Sequence, residues 1–503
     1  MILLVNPRST KPKNRRFPLS VMAVGAALPA GVTWEILDGN LPGVVLYDAV
    51  AARIEATRQS SDPVKVVAMT VMPGPQLVSA VPLSRQIKER YPEVLIVWGG
   101  YFPTLYPLPV LGARYVDFIV RGQGERTFAE LLDVIDGRRE AASLPGLGWK
   151  KSGEPILNPE RPWAGPDAFP PPPYDRIDVD SYLLPTFFGK RNGVYQASIG
   201  CPYSCNFCGV IGAFGSLEKF ESPKRTEANL AGLVERHGMD AVHFYDNNFF
   251  LLEMHAKELC ERIGPLNLRW WCEARIDVML RYSDRTWETI RRSGLTMVYF
   301  GAESGSDARL KRMSKNLTTE QTIALAEKTR RFGIIPEFSF MVGDPEDPED
   351  DIETTLAFIR KLKAINPALE VITYLYTPTP QRRGTYGNVD PLATTPSTLE
   401  EWVEPEWVGW MTHEDPHVSW MAPALKAKVD DFTLVLKSRF PPLQDGRTSA
   451  WGKALGRVLA RRRWERGNFD DPALLRLLSR LTKGRADERQ EYGHLRPASR
   501  ARP

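Results

Sequence analysis

Three cysteines within eight residues are the part of this sequence best suited to chemistry. Cys201, Cys205 and Cys208 follow an apolar run, residues 193–200, that predicts a strand leading into a loop. Three thiolates at this spacing can hold three irons of a cubane cluster, and the sequence places no fourth cysteine or histidine close by. One iron would then keep an open coordination position, which is typical of a catalytic metal.

Two other kinds of site have to be weighed against the cluster. Only five cysteines occur in 503 residues, and the apolar N-terminus is too short for a secretory signal, so a disulfide is disfavoured. A zinc site would need a fourth ligand at short spacing, whereas the nearest histidines, His237 and His243, lie far downstream. Cys260 lies in a helical pattern and Cys272 in an apolar strand pattern, so we expect both to be core thiols.

The motif Cys-x3-Cys-x2-Cys, with the aromatic Phe207 directly before its last cysteine, resembles that of the radical S-adenosylmethionine (SAM) enzymes. In that family the free iron chelates SAM, and reduction of the cluster cleaves SAM to methionine and a 5′-deoxyadenosyl radical. The resemblance implies that Cys201, Cys205 and Cys208 are catalytic and ligate a 4Fe–4S cluster, and that Phe207 contacts SAM. It also implies a low-potential electron donor such as flavodoxin or ferredoxin.

Composition narrows the class of protein. The chain is 43% hydrophobic and 25% charged, and its length allows two domains and an extension. A net charge of +4 gives no argument for nucleic acid as a partner. No run of apolar residues is long enough for an integral membrane segment. We therefore expect a cytoplasmic protein.

The proline-rich stretch Pro162–Pro173 marks the clearest linker, because consecutive prolines keep the chain extended. Upstream of it, strand and helix patterns alternate, which predicts a parallel sheet of the flavodoxin/Rossmann-like kind. The predicted segments are an α/β domain (1–150), a linker (151–185), a barrel domain (186–390) and a mostly helical C-terminal extension with a basic tail (391–503).

Glycine turns follow several of the predicted strands of the first segment. Alone they indicate only tight connections, and no G-x-G-x-x-G follows the first strand. The whole string, residues 99–104 and then 116–127, resembles the cobalamin-binding domain that precedes the radical SAM core in one branch of the family. Gln123 stands where that family usually has Glu. The resemblance implies these cobalamin contacts: Thr70, Gly99, Gly100, Gly122, Gln123, Gly124 and Glu125.

All six histidines lie beyond residue 236, so the first segment contains none. The D-x-H-x-x-G motif that places an imidazole under cobalt in other cobalamin proteins is therefore missing. We expect the lower face of cobalamin to have no histidine ligand from this segment.

Strand patterns recur through the second segment. With the cysteine-loop strand they number six, which suits a partial (β/α) radical SAM barrel with its chemistry at the carboxyl ends of the strands. The other five predicted strands are 241–245, 268–272, 297–300, 335–341 and 371–376.

Three of these strand ends carry polar or glycine residues at positions where the family contacts SAM. The implied contacts are Asp246 and Asn247 after one strand, Glu303 and Ser304 after another, and Gly343 after a third. Each alone could be an ordinary loop or helix cap. The third loop departs from the family pattern, because Glu346-Asp347 replace Gly-Glu.

Beyond about residue 390 the resemblance weakens. Four tryptophans could close a cavity, but we expect them to pack an added domain against the barrel; they are Trp402, Trp407, Trp410 and Trp420. His413 and His417 have the spacing of helical metal ligands, yet Pro416 argues against that helix. From Leu455 the chain is basic, which predicts a solvated helix face, with membrane-surface attachment as the alternative.

The sequence therefore predicts a cobalamin-dependent radical SAM enzyme. The commonest reaction of such enzymes is methylation of an unactivated centre of a small-molecule substrate. Two alternatives remain open: a cyclase or rearrangement enzyme like the anaerobic magnesium-protoporphyrin cyclase, and a noncatalytic cobalamin or iron sensor. The cofactor motifs do not separate these, and they do not name the substrate.

Overall fold

The computed structural model describes residues 1–10, 14–381, 384–413, 418–445 and 448–482. It contains two parallel sheets with helices packed on them, followed by a group of C-terminal helices. None of the described helices is both long and apolar enough to cross a membrane.

The first sheet has seven strands in the order β2-β1-β3-β4-β5-β6-β7. Its strands are β1 (Ile2–Asn6), β2 (Trp34–Asp38), β3 (Val66–Thr70), β4 (Leu95–Gly99), β5 (Phe118–Val120), β6 (Leu147–Lys151) and β7 (Glu154–Leu157). The first five are parallel. Their order, 2-1-3-4-5, is the doubly wound flavodoxin-like order, so this part of the predicted fold class is confirmed. Ligands of such sheets bind beyond the carboxyl ends of the strands, at the switch point between the neighbouring strands β1 and β3.

Helices cover both faces of this sheet: α1 (Leu19–Ala26), α2 (Leu46–Thr57), α3 (Pro75–Arg90), α4 (Tyr101–Leu105), α5 (Pro107–Gly112) and α6 (Gly124–Ile135). Burial on both faces explains why β1 and β3 read as continuous apolar runs. The antiparallel hairpin β6–β7 extends the sheet to Leu157, past the boundary expected at residue 150. The sequence signal missed this hairpin because its strands are short and half polar.

Between Leu157 and Asn192, a stretch that the structure describes throughout, there is no α-helix or strand. This stretch contains three short 3₁₀ turns, Pro166–Ala168, Tyr174–Arg176 and Val179–Ser181. The consecutive prolines of the sequence predict an extended linker for these residues. We propose that the first domain ends at Leu157.

The second large sheet has six parallel strands in the order β15-β14-β13-β12-β11-β8, the open sequential order of a partial barrel. Two further strands, β9 and β10, form a separate antiparallel pair. The strands of this part of the chain are β8 (Asn192–Tyr195), β9 (Ser198–Cys201), β10 (Leu217–Phe220), β11 (Ala241–Phe244), β12 (Arg269–Ala274), β13 (Leu295–Glu303), β14 (Ile335–Val342) and β15 (Glu370–Leu375).

One predicted strand of the barrel is wrong. The run 193–200 was expected to be a single strand, but it is divided between β8 and β9. The ladder breaks because the N–H of Ala197 donates to the carboxylate of Asp246 instead of to a neighbouring strand. Gly200 then adopts φ +85°, and a Cβ there would lie 2.3 Å from the carbonyl oxygen of Leu217.

The helices on the barrel are α7 (Gly209–Phe214), α8 (Pro223–His237), α9 (Glu253–Ile263), α10 (Ile276–Leu280), α11 (Asp284–Arg292), α12 (Asp307–Arg312), α13 (Thr319–Phe332) and α14 (Pro348–Ile365). Cys260 and Cys272 are buried in the core between these helices and the sheet, as expected of structural thiols.

The C-terminal extension is helical: α15 (Pro391–Thr394), α16 (Leu399–Trp402), α17 (Pro405–Met411), α18 (Pro423–Arg439), α19 (Ala450–Arg466) and α20 (Ala473–Thr482). The expectation that its tryptophans pack against the barrel is wrong for most of them. Trp402 packs against Phe102 and Tyr106 of the first domain, with ring centroids 5.2 and 4.7 Å apart. Trp407 and Trp410 pack against Trp402 in the same cluster.

Trp420 is the tryptophan that contacts the barrel, where its indole N–H donates to the carbonyl of Gly343 at 3.0 Å. The extension therefore contacts both domains. The aromatic side chains of α16 and α17 pack on the apolar surface of α4 in the first domain. Pro416, His417 and the basic tail after residue 482 lie outside the described residues.

Candidate active site between the two sheets

A cavity of about 910 Å³ lies where the carboxyl ends of the two sheets face each other. It is at the upper end of the usual range for pockets that enclose drug-sized ligands, roughly 300–1,000 Å³. All seven residues expected to contact cobalamin line it: Thr70, Gly99, Gly100, Gly122, Gln123, Gly124 and Glu125. The barrel contributes Gln196, Tyr245, Asn247 and Tyr374 to the opposite wall. The first domain and the barrel mouth thus share one space.

The two glycine turns are tied together by Thr104. Its hydroxyl donates to the carbonyl of Gly100 at 2.7 Å and accepts from the N–H of Gly122 at 3.0 Å. Both glycines have positive φ, +96° and +69°. Because neither position carries a side chain, the backbone of these turns can lie close to a large planar cofactor.

Gln123 and Glu125 also lie at this wall, in two different settings. The Gln123 amide makes a reciprocal pair with the backbone of Ala164, with distances of 2.8 and 3.1 Å, so it fastens the linker to the cavity. Burial raises the pKa of Glu125 above its ordinary value, although backbone hydrogen bonds oppose the shift.

Substitution of Gly100 by alanine is expected to lower both stability and cobalamin retention. The new Cβ would lie 3.0 Å from the Thr70 hydroxyl and 3.1 Å from the Val71 nitrogen, at a φ that costs a non-glycine residue about 1–2 kcal/mol. Thermal unfolding and the cobalt content of purified protein measure the two effects. Gly112→Ala is the matched control, because no atom lies within 4 Å of its added Cβ. Equal behaviour of the two variants would contradict the prediction.

The cysteine loop begins at the end of β9 and runs into α7. Arg275 lies over it, since its guanidinium donates to the Cys205 sulfur at 3.5 Å and stacks 3.6 Å from the centre of the Tyr203 ring. Burial raises the pKa of Cys201 to about 11 and that of Cys208 to about 12. All three thiols are free of disulfides.

The donor set fits an iron–sulfur cluster rather than a single ion. Among the described residues, no three cysteine, histidine or acidic side chains converge on one point as ligands of one metal ion would. A cubane instead places each thiolate on a different iron. The three thiols come from one loop of eight residues, which allows all three to bind one cluster.

Two glycines of α7 bring the cysteine loop against the first domain. A Cβ at Gly209 would lie 2.5 Å from the Tyr101 hydroxyl, and one at Gly212 would lie 2.7 Å from Leu105. Only glycine permits these approaches between α7 and α4. Neither glycine was predicted from the sequence, although both follow Cys208 within four residues.

The loop after β11 supports the backbone that leads to the cysteines. Asp246 accepts from the N–H of Ala197 at 3.1 Å, and Asn247 accepts from the N–H of Gly200 at 3.2 Å. The next residue, Asn248, is fully buried, and neither atom of its amide has a partner among the described residues. A buried amide of this kind is normally satisfied by a ligand or an ordered water.

Asp246 gives the site a pH dependence. Burial is the main reason that its pKa is raised from 3.8 to about 7, with Glu221 adding a smaller contribution. The unfolded carboxyl ionises near pH 4 while the folded one keeps its proton, so stability falls as pH rises towards 7.

The substitution Asp246→Asn keeps a side-chain oxygen that accepts from the N–H of Ala197, and it removes the loss of stability at higher pH. We expect its free energy of unfolding, relative to the parent protein, to rise between pH 4 and pH 8 by an amount on the order of 4 kcal/mol. Urea unfolding at several pH values measures it. Parallel pH profiles for the two proteins would show that Asp246 does not titrate in this way.

Glu303 ends β13 in a left-handed conformation, with φ 64°, which is unusual for a side chain of this size. Its carboxylate accepts from Lys315 at 2.6 Å, and both side chains are buried. Burial lowers the pKa of Lys315, but the Glu303 carboxylate outweighs that effect and the net pKa is raised. The pair requires Gly301, where a Cβ would lie 2.1 Å from the carboxylate.

Two further SAM candidates, Ser304 and Gly343, are held by hydrogen bonds to other residues of the chain. Ser304 is buried, and its hydroxyl accepts from the N–H of Ser306 at 3.2 Å. Gly343 has φ +96°, donates its N–H to Asp351 at 2.9 Å and accepts from Trp420.

Several site residues were missed from the sequence. Arg275 directly follows β12 and could have been found from its place at a strand end, whereas nothing local to Lys315 indicates its partner. Met411, Thr412 and His413 of the extension line the cavity beside the barrel residues. The C-terminal extension therefore does border a cavity, but through these three residues and not through its tryptophans.

Comparison with protein families identifies both domains. A B12 binding domain matches residues 9–132, and the radical SAM superfamily matches residues 195–359. An uncharacterized methyltransferase of Pyrococcus horikoshii is 28% identical over 72% of this chain and 78% of its own length. The anaerobic magnesium-protoporphyrin IX monomethyl ester cyclase of Synechocystis is 26% identical over 69% of this chain and 70% of its own.

Among solved structures, the radical SAM methyltransferase TsrM of Kitasatospora setae, with cobalamin and a 4Fe–4S cluster bound, has the same fold. Its TM-score is 0.62 at 17% identity, covering 93% of this chain and 99% of TsrM. The cofactors of the matched domains are SAM and a 4Fe–4S cluster for the barrel and cobalamin for the first domain. The cysteine loop lies within the matched radical SAM domain and the cavity lies between the two domains, and the chain is accordingly a radical SAM enzyme that also carries a B12-binding domain.

Proposed function

We propose that this enzyme transfers a methyl group, by way of cobalamin, from SAM to an unactivated carbon or phosphorus centre of a small molecule. The observation that carries the proposal is the shared cavity, because it lets the glycine turns of the first domain and the mouth of the barrel act on one substrate. The methyltransferase name of the Pyrococcus relative supports the reaction class.

In this proposal the cysteine loop holds the cluster. Cys201, Cys205 and Cys208 are its ligands, and the Arg275 guanidinium places positive charge beside the Cys205 sulfur. Cations near a cluster favour its reduced, more negative state. Phe207 lies at the same loop, 5.7 Å from the ammonium of Lys315.

SAM would lie between the cysteine loop and the strand ends. Asp246 and Asn247 position the backbone before Cys201. Glu303 is held by Lys315, so its carboxylate has one fixed orientation. Ser304 and Gly343 complete the proposed contacts.

Cobalamin would lie against the glycine turns, with Thr70 and the stretch from Gly122 to Glu125 around it. When bound, the cofactors supply radical chemistry and a carrier for the methyl group. The residues of the chain enclose the space from the linker side, where Trp163 lies 3.6 Å from the position of a Gly122 Cβ. This enclosure limits the access of water to the reacting centre.

The second candidate is a cyclase or rearrangement reaction without methyl transfer. The Synechocystis cyclase favours it, because its similarity extends over 69% of this chain. The radical SAM match favours either enzyme over the noncatalytic sensor considered from the sequence.

An anaerobic assay with methyl-deuterated SAM tests the proposal. Protein loaded with iron, sulfide and cobalamin is given reductant and a small-molecule extract, and the products are followed by mass spectrometry. We expect 5′-deoxyadenosine, S-adenosylhomocysteine and a product that carries the deuterated methyl group. Deoxyadenosine and a changed substrate without the label would instead support the cyclase class.

We further propose a low-potential donor such as flavodoxin or ferredoxin, and a cytoplasmic setting. Three free cluster thiols and a low-potential cluster require reducing surroundings. A surface with little net charge gives no reason to expect nucleic acid as a partner.

A further inference from the structure

The two last described helices expose a group of large apolar side chains. Six of the fifteen exposed large apolar residues of the described chain lie on α19 and α20: Trp451, Leu455, Val458, Leu474, Leu477 and Leu481. Val458 is 70% exposed and Leu481 is 69% exposed. Such a concentration marks an interaction surface, whereas single exposed apolar residues do not.

Helical spacing places the three residues of α19 on one line. Trp451, Leu455 and Val458 are four and three residues apart, and Arg462 continues the line four residues later. The side of α19 next to this line carries the small buried residues Gly452 and Gly456. Gly452 lies against Thr482, where a Cβ would come within 2.6 Å of the threonine Cβ.

Helix α20 is arranged in the same way. It buries Leu475, Leu478 and Thr482 and exposes Leu474, Leu477 and Leu481. The start of α19 meets the end of α20, so the two helices are antiparallel. In each helix, the exposed residues lie about a quarter turn round the helix axis from the residues that contact the neighbouring helix. Because the two helices are antiparallel, this rotation brings both sets of exposed residues to the same side of the helix pair.

The two lines therefore form one surface, which we call the α19–α20 face. Val435 of α18 packs with Ala460 and Leu475 on the other side of the pair. Since α18 in turn packs on α14 of the barrel, the face is directed away from the rest of the described molecule.

The face has a positive rim. Residues 450–482 contain eight Lys and Arg and three Asp and Glu, a net charge of +5, while the whole chain has only +4. Arg462, Arg466 and Arg480 are exposed and form no ion pair with another residue that the structure describes. These cations are available to an external anion.

The positive rim and the apolar lines together indicate which kind of partner binds the α19–α20 face. A second copy of the chain would bring the two sets of arginines together, which like-charge repulsion disfavours. The remaining residues 483–503 contain only Tyr492 and Leu495 as large apolar residues, too few to cover the face. An anionic lipid surface offers both an apolar layer and a layer of negative charge, and tryptophan favours that boundary.

We propose that the α19–α20 face docks the enzyme on an anionic membrane surface. Trp451 and the exposed leucines enter the boundary between headgroups and acyl chains, and the rim arginines lie at the headgroups. The helices lie in the plane of the membrane rather than crossing it.

Co-sedimentation of the full-length holoenzyme with vesicles tests the proposal. We expect binding to vesicles of phosphatidylglycerol and phosphatidylcholine, weaker binding to phosphatidylcholine alone, and weaker binding again as salt rises from about 0.1 M to 1 M. Val458→Asp and Leu477→Asp are each expected to weaken binding about tenfold. Arg462→Gln and Arg480→Gln are each expected to weaken it about fivefold.

Met254→Asp is the matched control, because Met254 is 77% exposed but lies on α9. It should leave vesicle binding unchanged, and all the variants should keep the thermal stability of the parent protein. Equal binding to neutral and anionic vesicles, or binding that the two aspartates do not affect, would overturn the proposal. A dimer in sedimentation velocity that Val458→Asp dissociates would assign the face to a second copy instead.

Discussion

Replacing any one of Cys201, Cys205 and Cys208 with alanine is expected to remove the iron–sulfur absorbance and to abolish cleavage of SAM. The three thiols are the cluster donors that the loop between β9 and α7 provides, and the other two cysteines, Cys260 and Cys272, are buried in the barrel core. Iron and sulfide content, visible absorbance and 5′-deoxyadenosine formation measure the effect in anaerobically reconstituted protein.

Cys260→Ala provides the matched control for this prediction. Its thiol is buried in the barrel core, so the variant should keep its iron and its SAM cleavage and lose only about 1 kcal/mol of stability. A single cluster variant that retained full deoxyadenosine formation would show that the cluster assignment is wrong.

Lys315→Met is expected to destabilise the protein by about 3–5 kcal/mol, because it leaves the carboxylate of Glu303 buried without its counter-ion. Urea unfolding measures the loss. The double variant Lys315→Met with Glu303→Gln should recover most of it, since no unpaired charge then remains. With the single variant Glu303→Gln measured as well, the coupling energy of the pair is the stability change of the double variant minus the changes of the two single variants.

An exposed ion pair supplies the comparison. Lys428 pairs with Glu353 on the surface, so Lys428→Met should change stability by less than about 1 kcal/mol. If Glu303 also contacts SAM, as proposed, the stable double variant should show a raised KM for SAM, which a purely structural role would not produce. Additive effects of the two substitutions would contradict the coupling.

The two halves of the site are held together by contacts from three parts of the chain. Helix α7 meets α4 through Gly209 and Gly212, and the linker is fastened by Gln123. Near the C-terminal extension, the N–H of Gly74 donates to the Met411 sulfur at 3.2 Å. Because these contacts border one cavity, we expect substrate access to depend on the extension as well as on the barrel.

The sequence by itself determined the features whose signals are local. The spacing of Cys201, Cys205 and Cys208 indicates a cluster because all three ligands come from one short loop. The alternation of apolar strands with helices predicted both sheets, because the hydrophobic periodicity of a strand or a helix is a property of each segment of sequence by itself. The glycine turns at Gly100 and Gly122 were predicted because a chain leaving a strand sharply needs residues that tolerate positive φ.

Only the tertiary structure decided which distant residues meet. Arg275 reaches Cys205 across seventy positions, and α16 packs on α4 across almost three hundred. The division of run 193–200 into β8 and β9 depends on Asp246, which lies outside that run. These contacts leave no local pattern, because they are set by side-chain packing and burial once separate elements have come together, and not by the preferences of the residues around them.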